Sequence, residues 1–137
     1  MPSSHNPFFL YVEDDFHSRE VMQILLSDVM GYDDHVVFDN TADFIDRFKI
    51  LPAIPDLIFV DIQIEPHNGY EVLVMLRDQP QGNDIKVVAT TASVSVQEVQ
   101  QLKAAGFDGL IGKPIRTKVF PQLVTRLLQG EQLWFIP

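Results

Sequence analysis

Four short stretches carry the side chains best suited to chemistry: Glu13-Asp14-Asp15, Asp61, Thr90-Thr91 and Lys113-Pro114. Each follows an apolar run, so that LIFV at 57–60 leads straight into the Asp61 carboxylate. A lone carboxylate so close to buried chain would be costly. Grouped carboxylates repel, and one must hold a proton unless a cation relieves the crowding. Two or three oxygen ligands with water in the remaining positions is what Mg²⁺ prefers, and it commonly keeps a place for a phosphate oxygen. A carboxylate beside such an ion can attack a phosphoryl group and form an acyl phosphate. The transferring oxygens then need positive charge and donors, and Lys113 with a threonine hydroxyl supplies both.

Those groups meet only if the fold brings them together. The runs FFLYV (8–12), HVVF (35–38), LIFV (57–60), IKVVA (85–89) and GLIG (109–112) are mostly β-branched or aromatic and lack strict alternation. Strands buried on both faces of a parallel sheet read this way. Between them lie stretches of helical period: Val21, Ile24, Leu25 and Val29 after Ser18; Phe44, Ile45 and Phe48 after Thr41, an expected N-cap; Val72, Leu73 and Leu76 after Gly69. A fourth helix carries Val96, Val99 and Leu102 and stops at Ala104-Ala105-Gly106; a fifth carries Val119 to Leu128 and closes at Gly130. Pro121 lacks the N–H that a start at Thr117 would require, which puts that start later. Repeated strand–helix units imply an α/β fold, a doubly wound parallel sheet with right-handed crossovers and helices on both faces. Five strands allow the flavodoxin-like order 2-1-3-4-5, with its ligand crevice at the carboxyl ends beside strands 1 and 3. In that order the four reactive stretches end adjacent strands. Strand 2 ends in Asp39-Asn40, away from the crevice, where turn and cap chemistry suffices.

Composition narrows the function classes. The chain has 137 residues, the size of one domain, and no cysteine, hence no disulfide framework or thiolate metal site. No apolar run approaches the roughly 18 residues of a membrane span, and MPSSHNP lacks the blocks of a secretory signal. A cytoplasmic location is expected. Net charge is −9, and residues 1–85 hold 16 of the 19 acidic residues with 4 of the 10 lysines and arginines. So acidic a front half argues against nucleic-acid binding and leaves room for a cation or a basic partner surface. Most of these charges serve solubility.

Taken with their order and spacing, V-E-D-D at 12–15, V-D-I at 60–62, Asn68-Gly69-Tyr70-Glu71, T-A at 91–92, A-G at 105–106 and K-P at 113–114 identify a family. The chain resembles a response-regulator receiver domain of two-component signalling, of the stand-alone type, from about Phe8 to Leu128. The resemblance implies phosphorylation of Asp61 by a histidine kinase or a histidine phosphotransfer protein. It implies Mg²⁺ held by Asp14, Asp61 and the carbonyl of Gln63, with Glu13 acting mainly through water. Thr91, followed by small Ala92, becomes the switch hydroxyl, and Lys113 the phosphate-binding ammonium before a cis bond to Pro114. The expected organisation is an N-terminal tail at 1–7, a receiver domain at 8–129 and an apolar tail at 130–137. Phosphotransfer would be self-catalysed, so the chain is not a conventional enzyme. It would switch protein–protein contacts through the fourth helix, fifth strand and fifth helix, or relay its phosphate. The phosphodonor would dock on the first helix near Arg19 and Met22.

Two features depart from the family pattern. Proline stands at Pro66 rather than at the place of Glu65, while Gly69 keeps its offset, so the loop should differ in shape but not in length. Glu65 and His67 come into reach of the site, although an exposed loop histidine is the plainer reading of His67. Leu110 replaces the usual aromatic, so no ring can flip there on activation. The tail GEQLWFIP holds the only tryptophan; it either docks on its own domain or meets another chain, for example in a homodimer. Other functions fit less well. A haloacid-dehalogenase-type phosphatase needs a second aspartate where Gln63 stands. A flavodoxin-like FMN site needs a phosphate loop where Glu13-Asp14-Asp15 would repel phosphate. The remaining alternative is a degenerate receiver, a binding module that is never phosphorylated.

Overall fold

The computed structural model describes residues 6–137; of the expected N-terminal tail, residues 1–5 lie outside the described residues. The strands are β1 (Phe9–Val12), β2 (His35–Phe38), β3 (Leu57–Asp61), β4 (Lys86–Thr91), β5 (Gly109–Gly112) and β6 (Leu133–Phe135). The helices are α1 (Phe16–Gln23), α2 (Phe44–Lys49), α3 (Gly69–Arg77), α4 (Val96–Ala105) and α5 (Phe120–Leu128). The strands form one parallel sheet in the order β2-β1-β3-β4-β5-β6. The expected order holds, and a sixth strand extends it beyond the expected five. That strand is the apolar tail, pairing Leu133 with Gly109, Leu110 with Trp134 and Ile111 with Phe135. Three residues are too few to read as a strand alone; the exposed ladder of β5 makes them one.

Alternation along each strand divides the core in two. Leu10, Val12, Ile58, Val60, Val87, Ala89 and Leu110 face α2, α3 and α4. Phe9, Tyr11, Leu57, Phe59, Val88 and Ile111 face α1 and α5. Both faces are covered, which is why the strand sequences lack polar alternation.

Local details differ from expectation for identifiable reasons. The first helix starts at Phe16, because Asp15 is its N-cap and accepts from Ser18 N at 2.8 Å and Ser18 Oγ at 2.7 Å. It continues as a π-helix over Ile24–Val29. The wider turn rotates the apolar face, leaving Ile24 and Val29 exposed while Leu25 and Leu26 are buried. Thr41 does not cap α2. It is buried, accepts from His67 N and donates to His67 O, and so ties the start of α2 to the loop after β3. α5 starts at Phe120 with Pro121 in its first turn, where no N–H is needed. Both the Glu65–Pro66 and the Lys113–Pro114 bonds are cis.

Candidate functional site

The carboxyl ends of β1, β3, β4 and β5 lie side by side. Asp61 is the last residue of β3 and is paired with Thr90 of β4; Val12 of β1 is paired with Val60. One carboxylate oxygen from each of Glu13, Asp14 and Asp61 falls within 4.8 Å of the others. Lys113 Nζ lies 3.4 Å from Asp61 Oδ2 and pairs directly with Glu13 Oε1. Gln63 N donates to Asp61 Oδ1 at 3.3 Å, which turns the loop after β3 back against the acidic residue.

Burial sets the electrostatics. Glu13 is wholly buried and Asp61 nearly so, whereas Asp14 is exposed at the rim. Desolvation, followed by the neighbouring Glu13 charge, pushes the Asp61 carboxyl up to about 7, against the opposing pull of Lys113. The same two causes raise Asp14 above the usual carboxylate range. Burial pulls Lys113 down, but Glu13 and then Asp61 outweigh it, so the ammonium is held above the usual lysine value. Burial and mutual repulsion disfavour the charged forms of Asp61 and Asp14, so the site is short of positive charge, and three oxygens at this spacing are a donor set that a hard divalent cation could take.

The loop after β3 is shaped from α3. Asn68 Oδ1 accepts from Glu71 N and Glu71 Oε1 accepts from Asn68 N, both at 2.9 Å, closing a capping box. Gly69 N donates to Ile62 O at 3.0 Å. A Cβ on Gly69 would come within 2.9 Å of Ile62 Cα and 3.0 Å of Asp61 O, so only glycine lets the helix start this close to the acidic residue.

The sequence over residues 9–125 matches the response regulator receiver domain. The chain belongs to that family. Transcriptional regulatory protein CitT of Halalkalibacterium halodurans is 25% identical over 127 residues, 91% of this chain and 54% of CitT. The polar-differentiation response regulator DivK of Brucella ovis is 32% identical over 74 residues, 54% of this chain and 60% of DivK. This receiver thus spans about half the length of CitT. The chemotaxis response regulator CheY4 of Vibrio cholerae shares the fold, with a TM-score of 0.79 at 22% identity, covering 90% of this chain and 99% of that one.

Within this receiver, the expected site residues Glu13, Asp14, Asp61 and Lys113 come together, and Gln63 joins them through its backbone N–H. The two threonines separate by strand alternation. Thr90 lies on the sheet face of Phe59 and Asp61, with a fully buried Oγ1 that has no hydrogen-bond partner among the described residues. Thr91 lies on the opposite face, paired with Gly112, and its Oγ1 accepts from Ser93 N at 3.1 Å. Met22 is fully buried, which removes it from the expected docking face; Arg19 instead reaches inward, donating to the Glu13 carbonyl at 3.1 Å. His67 sits near Glu71, at 3.9 Å, out in the loop. Leu110 is fully buried, and the aromatic ring beside it is Trp134 of β6, stacked with Lys103 of α4 at 5.1 Å.

Sequence reasoning missed Tyr11. Its hydroxyl donates to Glu13 Oε1 at 3.0 Å from inside the core between the sheet and α1 and α5. The i, i+2 spacing on one strand face was the available signal.

Among the described residues no helix is long and apolar enough to cross a membrane.

Proposed function

We propose that this receiver accepts a phosphoryl group on Asp61 from a phosphohistidine of a histidine kinase or phosphotransfer protein. The observation that carries this is the placement of Asp61 between two further carboxylates and an ammonium at one strand edge. Glu13, Asp14, Asp61 and the Gln63 carbonyl would hold Mg²⁺, which when bound supplies the positive charge that the three acidic side chains lack. An Asp61 carboxylate oxygen attacks phosphorus, the P–N bond of the donor breaks with its electron pair going to the ring nitrogen, and the imidazole leaves as its neutral form after taking a proton from solvent. Lys113 then stands 3.4 Å from the Asp61 carboxylate, close enough to follow the new phosphoryl oxygens. Thr91 accepts from Ser93 N, which leaves its own hydrogen to donate to the phosphoryl group if the loop after β4 moves inward. The work is done in the cytoplasm, and the output is a changed surface at α4, β5 and α5 or onward transfer of the phosphate.

Leu110 favours a second reading, an unphosphorylated binding module, because no aromatic side chain stands at that position to report on the site. One experiment separates the two. Intact mass is measured after incubation with Mg²⁺ and acetyl phosphate or phosphoramidate, beside Asp61→Asn and a Mg²⁺-free sample. Gain of one phosphoryl group, absent from both controls, is the expected result. A folded, Mg²⁺-binding chain that gains nothing from either donor leaves the binding module.

A further inference from the structure

The Glu13 carboxylate is the most enclosed charged group of the site, and three donors inside the protein hold it. Oε2 accepts from Asp15 N at 3.1 Å. Oε1 accepts from Tyr11 Oη at 3.0 Å and meets Lys113 Nζ as well. The phenol cannot wander: Tyr11 is fully buried, and its ring stands edge-on to Phe59 at 6.3 Å and 88°. Lys113 is the one mobile member. Its long side chain is partly exposed and already lies 3.4 Å from Asp61.

From this arrangement we infer that Tyr11 is a positioning residue which holds Glu13 when Lys113 leaves it, and so sets how readily the ammonium transfers to a phosphoryl group on Asp61. The inference rests on the phosphorylation reading above. Glu13 and Asp61 compete for a single ammonium. A lysine drawn to phosphoryl oxygens takes a donor away from a buried carboxylate, and a buried charge that loses a donor is penalised. The fixed phenol keeps Oε1 bonded through that exchange. Its bond to Glu13 strengthens once the competing ammonium has gone, because the two share Oε1 and the phenol then holds that oxygen alone among the described side chains. Tyr11 therefore favours the phosphoryl-bound state over the empty one without touching phosphate or metal.

The test is a double-mutant cycle on Tyr11→Phe and Glu13→Gln, read as affinity for beryllofluoride, a mimic of the acyl phosphate, at saturating Mg²⁺. Loss of a partner one shell out from such a site commonly weakens binding by about tenfold or more. Tyr11→Phe should weaken beryllofluoride binding by about tenfold in the native background and by less than about twofold when Glu13 is already glutamine. The phenylalanine ring keeps the packing on Phe59, so a simple core role would leave affinity unchanged or weaken it equally in both backgrounds. Either of those results overturns the inference. If Tyr11→Phe unfolds while the double variant folds, the phenol serves the stability of the buried carboxylate rather than the exchange of Lys113, and the inference fails. If both unfold while Glu13→Gln alone folds, Tyr11 belongs to the core and the inference fails. Failure of the unaltered chain to bind beryllofluoride with Mg²⁺ would instead fail the phosphorylation reading, and the role of Tyr11 with it.

Discussion

Asp61 is held in a setting that opposes its own charge. Burial and Glu13 raise its pKa to about 7, so the folded chain binds more protons than the unfolded chain between the ordinary carboxylate range and that value. The stability tied to the protonated form is therefore complete below that window and lost as pH rises through it. Asp61→Asn removes the titration along with the charge. In the metal-free chain it should raise the Tm by roughly 4 °C at about pH 8, corresponding to about 1 kcal/mol after solvent screening, and by little at about pH 4. Thermal melts of both chains across that pH range check the sign. A destabilising effect at alkaline pH would mean that the Lys113 contact outweighs burial.

Among the elements, α3 does the most to shape the site, through two adjacent residues with different duties. Asn68 only caps the helix, and Asn68→Ala should cost about 1 kcal/mol in urea denaturation while leaving Mg²⁺-dependent phosphorylation intact. Gly69 is pressed against the backbone of Asp61 and Ile62, which cannot yield as a flexible side chain would. Gly69→Ala should cost about 2 kcal/mol and also displace the Asp61 loop. Intact-mass phosphorylation assays on the two variants should then part company, unimpaired for Asn68→Ala and reduced at least severalfold for Gly69→Ala. Arg77 plays a comparable structural part at the far end of α3, joining Asp108 Oδ2 at 3.0 Å and the Ile85 carbonyl at 2.7 Å, which anchors the helix to the opposite edge of the sheet.

For the molecule as a whole, the added strand changes the surface at the β5 edge. β6 covers the β5 edge, placing Trp134 toward α4 and Phe135 toward α5, so the surface expected to respond to phosphorylation includes the C-terminal segment. Deleting residues 131–137 removes the buried Leu133 and the partly buried Trp134 and Phe135. The expected loss is about 3 kcal/mol in denaturant titrations. It also bares a parallel ladder edge, so the shortened chain should associate with increasing concentration, as sedimentation would show.

The strand runs, the order 2-1-3-4-5 and the grouping of Glu13, Asp14, Asp61 and Lys113 were all legible in the sequence. Strands buried on both faces announce themselves by apolar, β-branched composition, and parallel topology forces their carboxyl ends to one edge. Local signals failed where a distant partner made the decision. Thr41 bonds to His67 rather than capping its own helix, Met22 turns inward ahead of a π-helical stretch, and Leu133–Phe135 becomes a strand only because β5 offers its edge. The same holds for Tyr11: its apolar neighbours mark it as core, and only the packed sheet places its one polar atom on Glu13. Composition and period are properties of a segment and can be read from it. Which donor meets which acceptor depends on contacts between segments, and those exist only once the chain has folded.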